Sequence, residues 1–258
     1  MKVGIAKLGA IGSSILLEYI LDELAMRNDL ETFIISSGSK INIEILKEIE
    51  KHNFDLKIVT CPNAEKFIDP DILSGRVILI TDRSSREWLN RCGWGYIVVK
   101  ADSMICARRE FLDPTEMVIY NSDILKVLAV TGVVRLIQFE INRALKEDYL
   151  PKIIVDYKVA IDFSGISNPY AKAKAIASYI IAESISKITY EACFVEKDKD
   201  KFTTLCAVAH EMMKVAGKIA DEVREIEKIK DTVLRTPHSK EGDILKKVRL
   251  LEDLKFQQ

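Results

Sequence analysis

Lysines, hydroxyl side chains and glycines gather at the ends of five short apolar runs. The runs close in Lys7-Leu8-Gly9-Ala10-Ile11-Gly12-Ser13, Ser36-Ser37-Gly38-Ser39-Lys40, Thr60-Cys61-Pro62-Asn63, Thr81-Asp82 and Lys100-Ala101-Asp102. Gly9 and Gly12 let backbone come close to a ligand, and a helix opening at Ser13 turns its N–H groups and positive dipole end the same way. An anionic ligand fits that edge. The register departs from the dinucleotide fingerprint, because G-x-G-x-x-G needs glycine where Lys7 stands. Ser37, Ser39 and Lys40 also replace the acidic ribose anchor expected after the second run. NAD is therefore disfavoured, and a phosphate-bearing cofactor of another shape is not.

Other constellations are thin. His210-Glu211 opens like a zincin helix, but the second histidine is missing where Lys214 stands, so His210 is expected on a helix surface. His52, His210 and His238 form no convincing nucleophilic set, and Cys106 beside Arg108 and Arg109 has no obvious base. The polar segment 100–116, KADSMICARREFLDPTE, places Asp102, Arg108, Arg109 and Glu110 at the seam between two differently patterned halves, where pockets are common. A second polar turn near the C-terminus carries Thr236, Pro237 and His238 and can fold back over that seam.

The elements that must position these residues follow from hydrophobic period. Val3 to Leu8, Phe33 to Ser36, Leu56 to Thr60, Val77 to Thr81 and Tyr96 to Val99 are β-branched or aromatic and too short for helices. Helical spacing fills Ser13 to Met26 and Ile41 to Ile49, and more weakly Ser84 to Asn90. The expected fold class is α/β, a mostly parallel sheet with flanking helices followed by a helical bundle. The division is placed at 1–112, an α/β cofactor-binding domain, and 113–258, the bundle with a C-terminal helical segment. Asp113, Pro114 and Glu116 read as a capping box opening a helix that runs through Ile141, with a possible restart at Asn121 to Asp123. Asn168 before Pro169 opens a second helix, and a third runs from about Lys199 to Ile229. Short extended pieces are expected at Ile153 to Val155 and Thr189 to Val195.

Of the 258 residues, 48% are hydrophobic and 30% charged, a globular composition able to bury a sizeable core. A formal charge of -1 leaves no global field for a nucleic-acid backbone or an anionic membrane. The five cysteines are widely spaced without a C-x-x-C pair and read as thiols of a reducing compartment. With no run approaching a membrane span, a soluble, cytoplasmic protein is expected.

Several blocks are long and unusual: ADSMICARREFLDPTEM (101–117), NSDILKVLAVTG (121–132), SNPYAKAKAIASY (167–179) and REIEKIKDTVLRTPHSKEG (224–242), with KLGAIGSS (7–14) and SSGSK (36–40). Over nearly the whole chain they resemble the coenzyme F420-dependent methylenetetrahydromethanopterin dehydrogenases of methanogenic and related archaea. The resemblance implies an oxidoreductase acting on a CH–NH donor in one-carbon metabolism and methanogenesis from CO2. Hydride would pass reversibly from methylene-tetrahydromethanopterin to coenzyme F420, a dissociable co-substrate, giving the methenyl cation and reduced F420 without a metal. It also implies a homo-oligomer, a hexamer built as a trimer of dimers. On that footing Asp102 first and Glu110 second are expected to stabilise the cationic product. Lys7, Gly9, Ile11, Gly12, Ser37, Lys40, Lys100 and Ala101 are expected to hold the deazaflavin, and Arg108, Arg109, Thr236 and His238 the pterin. One departure stands out, in that the loops after the third and fourth strands, Pro62 to Phe67 and Asp82 to Ser85, are shorter than the family's. Two readings stay open: a compact active dehydrogenase, or a non-catalytic pterin- or deazaflavin-binding paralogue.

Overall fold

The computed structural model describes residues 1–22, 26–106, 108, 110–229 and 237–245. Six strands form one sheet: β1 (Lys2–Lys7), β2 (Glu31–Ser36), β3 (Leu56–Thr60), β4 (Val77–Thr81), β5 (Gly95–Val99) and β6 (Lys152–Val155). All five pairings are parallel, in the order β2-β1-β3-β4-β5-β6. Strands β3, β4 and β5 are buried at every residue, and so read as unbroken apolar runs rather than alternating ones.

The helices cover both faces. Val3, Ile5, Ile58, Ile78, Ile80, Ile97 and Val99 face α1 (Gly12–Asp22) and the later helices, in one large core. Val59, Leu79 and Val98 face the other way, onto α2 (Glu44–Glu50) and α4 (Arg86–Cys92). The short α3 (Ala64–Phe67) follows β3. Beyond β5 come α5 (Pro114–Val130), α6 (Val133–Lys146), α7 (Tyr157–Asp162), α8 (Pro169–Tyr190) and α9 (Lys199–Ile229). The expected α/β class is the one observed, and α9 has the expected ends. No helix among the described residues is long and apolar enough to cross a membrane.

The two capping signals are observed. Asp113 accepts from the Glu116 N–H at 2.9 Å. The Asn168 side chain accepts from Tyr170 N at 2.9 Å and Ala171 N at 3.2 Å. Asn168→Ala leaves both donors to water alone, and the variant is expected to lose about 1 kcal/mol of stability, read as a lower urea midpoint with unchanged slope.

Four expectations are corrected. The helix opened at Pro114 does not run on to Ile141 and does not restart at Asn121 to Asp123. It breaks at Gly132, whose φ of +96° reverses the chain and whose absent Cβ would lie 2.3 Å from the Ala160 carbonyl oxygen. Thr189 to Val195 is not extended, since α8 continues through Tyr190 into a π turn, Glu191–Val195, closed by Glu196 N to Glu191 O at 2.9 Å. His210 is not on the surface: its side chain is 9% exposed, edge-on to Phe111 at 4.8 Å, with Nδ1 3.5 Å from the Glu116 carboxylate. The boundary at 112/113 separates no two cores, because β6 from beyond it pairs with β5 and a single cluster joins the sheet to α5, α6, α8 and α9.

Candidate active site

In this strand order the chain leaves β1 in one direction to reach β2 and returns past it to β3, so the crevice outside the carboxyl ends of β1 and β3 is the switch point where ligands of open parallel sheets bind. A cleft of about 440 Å³ opens there. Its walls come from the loops after β1 (Ala10), β2 (Ser39, Lys40, Ile41), β3 (Pro62) and β5 (Met104, Ile105, Arg108), with Phe67 of α3 and with Cys193 and Phe194 of the π turn. Mostly apolar walls with a few cationic and hydroxyl groups suit a flat ring system carrying an anionic tail.

The floor beside Ala10 is held from several sides. Gly9, at φ +68°, sits where an added Cβ would press on Ile41 and Pro62 at 3.1 Å, both of them lining residues. Its N–H donates to the Lys40 carbonyl at 3.2 Å. The Ser37 hydroxyl bonds the same carbonyl at 2.5 Å, and the Ser37 N–H the Lys7 carbonyl at 3.0 Å. The loops after β1 and β2 thus form one stitched unit.

Asp102 closes the other side. Its carboxylate is fully buried and accepts from Gly12 N at 2.5 Å and Ser13 N at 3.0 Å. Burial pushes it up to about 6, against the pull of those donors. Two expectations change here. The opening of α1 does not offer its first N–H groups to a ligand, because the chain's own carboxylate takes two and Ser14 N bonds the Ile11 carbonyl at 3.1 Å. Nor does Asp102 face a cationic product in the cleft, since both its oxygens are spent on α1 and the residue has no exposed surface. The anionic end of a ligand is left to Lys40, Ser39 and Arg108.

Arg108 has two tasks. Its guanidinium donates to the Ala192 carbonyl at 2.9 Å and the Glu196 carbonyl at 2.6 Å, gripping the π turn, and lies 4.1 Å from the Phe202 ring centroid. The turn in turn sets Phe194 on the cleft wall, 5.8 Å from Phe67 and 5.5 Å from Tyr190, with Lys66 Nζ 4.2 Å above its ring. Phe67, Tyr190, Phe194 and Lys66 were not singled out by sequence pattern. Asp82, expected only as a residue at the end of the fourth run, is a buried carboxylate: it is 3% exposed and accepts from Asn63 N at 2.6 Å, and burial followed by the nearby Asp102 charge pushes it up to about 7.

Of the residues expected to bind ligands, Lys40 and Arg108 line the cleft, and Gly9, Ile11, Gly12 and Ser37 build the loops beneath it. Lys7 is engaged by Glu18. Lys100 lies 3.7 Å from Glu183, and Ala101 is fully buried. Glu110 is exposed, near the Cys206 side of Arg108. His238 is not brought to the cleft. It bridges to Ile244 in a turn that packs on Arg27 and Asp29, before the start of β2 and therefore at the opposite edge of the sheet. Arg109 and Thr236 lie outside the described residues.

With this geometry in place, three similarities bear on identity. The family model of methylene-5,6,7,8-tetrahydromethanopterin dehydrogenase matches residues 1–255. F420-dependent methylenetetrahydromethanopterin dehydrogenases from Archaeoglobus fulgidus and Methanothermobacter thermautotrophicus are 45% and 41% identical to the chain. Each alignment covers 97% of it and 98% of the relative. A solved F420-dependent methylene-tetrahydromethanopterin dehydrogenase, in complex with methylene-tetrahydromethanopterin and coenzyme F420, superposes with a TM-score of 0.87. It is 37% identical, over 98% of both chains. The chain belongs to the methylene-tetrahydromethanopterin dehydrogenase family.

Proposed function

We propose that the protein catalyses reversible hydride transfer from methylene-tetrahydromethanopterin to coenzyme F420, yielding methenyl-tetrahydromethanopterin and reduced F420. The observation that carries this reading is the near-complete superposition on a dehydrogenase whose complex holds both molecules. The cleft at the β1/β3 switch point suits the deazaflavin in shape and charge, with Ile41, Pro62, Ile105, Phe67 and Phe194 for the ring and Lys40 and Ser39 for the anionic tail. When bound, F420 supplies the hydride-accepting ring. The chain's own residues hold the two rings face to face and keep water out, which is where most of such a rate enhancement arises.

Within this reading Gly9, Ile11, Gly12, Ser37 and Lys40 shape and contact the F420 half, while Lys7, Lys100 and Ala101 support it from the strand ends. Arg108, with Arg109, Glu110 and Thr236, serves the pterin half. His238 reaches a site only if one is shared between chains. A homo-oligomer is proposed on the exposed apolar side chains Val118, Ile119, Val208 and Val215 of α5 and α9. The cytoplasm is the proposed compartment, since the five cysteine thiols are held in no disulfide. The non-catalytic alternative receives no support, because the relatives covering almost all of the chain are dehydrogenases.

The test is an anaerobic assay with methylene-tetrahydromethanopterin, following loss of F420 visible absorbance, with NAD and NADP in parallel. F420-specific turnover is expected; a folded protein that binds F420 without turnover refutes the enzymatic reading. Arg108→Ala releases the π turn and removes a cleft cation, so KM for F420 or the pterin is expected to rise about tenfold, a cost of about 1.4 kcal/mol.

A further inference from the structure

Three cysteines far apart in sequence meet behind the cleft. Cys193 sits in the π turn, half-buried, and lines the cleft itself. Cys106, fully buried, ends the segment that brings Met104 and Ile105 to the adjoining part of the lining, and its Sγ lies 3.8 Å from that of Cys193. Cys206 of α9, also fully buried, is the third member and lies near enough to Cys106 for the two thiols to influence each other's ionisation. Hydride transfer uses none of them. Among the described residues no set of His, Cys, Asp or Glu has the arrangement of a metal site, so the trio is not a metal centre.

We propose that Cys193 and Cys106 form a reversible thiol–disulfide site that closes the cleft when the protein meets a hydroperoxide. The division of labour follows from access. Cys193 is the sulfur that a small oxidant entering the cleft can reach, and Cys106 is the adjacent sulfur shielded from it. The Cys193 thiol attacks the outer peroxide oxygen; the O–O bond breaks, an alcohol leaves, and sulfur is oxidised to sulfenic acid. The Cys106 sulfur then attacks the Cys193 sulfur, the S–S bond forms and water leaves. Two thiols and one hydroperoxide give one disulfide, one alcohol and one water, and a dithiol reductant reverses the link. Arg108 places a positive charge near Cys206, while the Cys193 and Cys206 neighbours together with burial push the Cys106 thiol up.

The effect on the cleft is geometric. A disulfide brings the two sulfurs from 3.8 Å to roughly 2.05 Å, which draws the π turn toward the β5–α5 segment. Phe194 and the Arg108 grip on Ala192 and Glu196 belong to that turn, so the ring wall shifts with it.

The experiment treats the full-length reduced protein with a hydroperoxide, blocks remaining thiols under denaturing conditions, and maps the peptides. Loss of two thiols together, recovered as a linked Cys106–Cys193 peptide and restored by dithiothreitol, is expected. In Cys193→Ser the same treatment should leave Cys106 open to alkylation. Survival of both thiols in the parent, or a link from Cys106 to Cys206 instead, overturns the proposal. The rate readout rests on the function proposed above, whereas the peptide map does not. F420 reduction by the parent should fall in step with the link and return with dithiothreitol, while Cys193→Ser holds its own starting rate. A link that forms without changing the parent's rate overturns the closing of the cleft.

Discussion

Replacing Asp102 by alanine is expected to lower kcat/KM for F420 reduction by about 10²-fold, the loss that a misplacement of about 1 Å at a reacting pair can cause. The carboxylate touches no ligand in this account. It fastens the first N–H groups of α1, at Gly12 and Ser13, to the end of β5, and the loop that leads from β1 into α1 carries Ala10 into the cleft. Alanine leaves two buried donors unpaired, at about 1–3 kcal/mol each, offset in part because a costly buried charge is also removed. Asp102→Asn decides between positioning and charge. Its amide oxygen still accepts from one of the two N–H groups, so most of the stability and most of the turnover should return. An asparagine variant as stable as the parent whose kcat stays as low as that of the alanine variant would restore to Asp102 the electrostatic part in stabilising the methenyl cation.

The fold was readable wherever the signal was local. The ends of α9 follow from a 3.6-residue apolar period sustained across Phe202, Cys206, Ala209, Met213, Ala216, Ala220 and Val223, all of them buried. Asp113 and Asn168 announced their helices because a cap is chemistry between residues two or three apart. The π turn departs from local preference because Thr189, Tyr190, Phe194 and Val195 favour strands by type, while the hydrogen bonds continuing from α8 and the Arg108 grip decide otherwise. At Gly132 the stop signal was present, a glycine after Thr131, but an apolar period that resumes in phase on both sides hid it. Strand β6 was seen as an extended piece; only its pairing with β5, more than fifty residues earlier, makes it part of the sheet.

The site divides in the same way. Glycines and cations at strand ends are a local pattern that parallel-sheet topology converts into a location, which is why Lys40, Arg108 and Gly9 fall in or under the cleft. What a carboxylate does with its lone pairs is not local. Asp102 was picked out by type and seam position, yet its partners stand ninety residues away, and they turn it from a group facing substrate into one that caps α1. The wall of Phe67 and Phe194 likewise exists only once α3 and the π turn meet.

Asp82→Asn is expected to stabilise the protein at pH 8 and to leave its stability near the parent's at pH 4. Asp82 is 3% exposed at the end of β4, and burial, reinforced by Asp102, pushes it up to about 7 from 3.8. Between those two values the folded protein holds the Asp82 proton while the unfolded chain has released it. The folded state therefore binds more protons, and stability falls as pH rises through the window from about 4 to 7. Below it the penalty vanishes, and above it the full cost of the buried charge is carried, of the order of 4 kcal/mol for a shift of this size. Asparagine keeps an oxygen for the Asn63 N–H, now 2.6 Å from the carboxylate, and cannot ionise. Urea midpoints measured at pH 4, 6 and 8 should thus diverge progressively, the variant's staying flatter. Parallel curves would mean that Asp82 titrates near its ordinary value. Because asparagine keeps the bond that holds Asn63 in place beside Pro62 of the cleft wall, F420 reduction by the variant should survive; a more stable but inactive variant would place the Asp82 charge in the chemistry rather than in the scaffold.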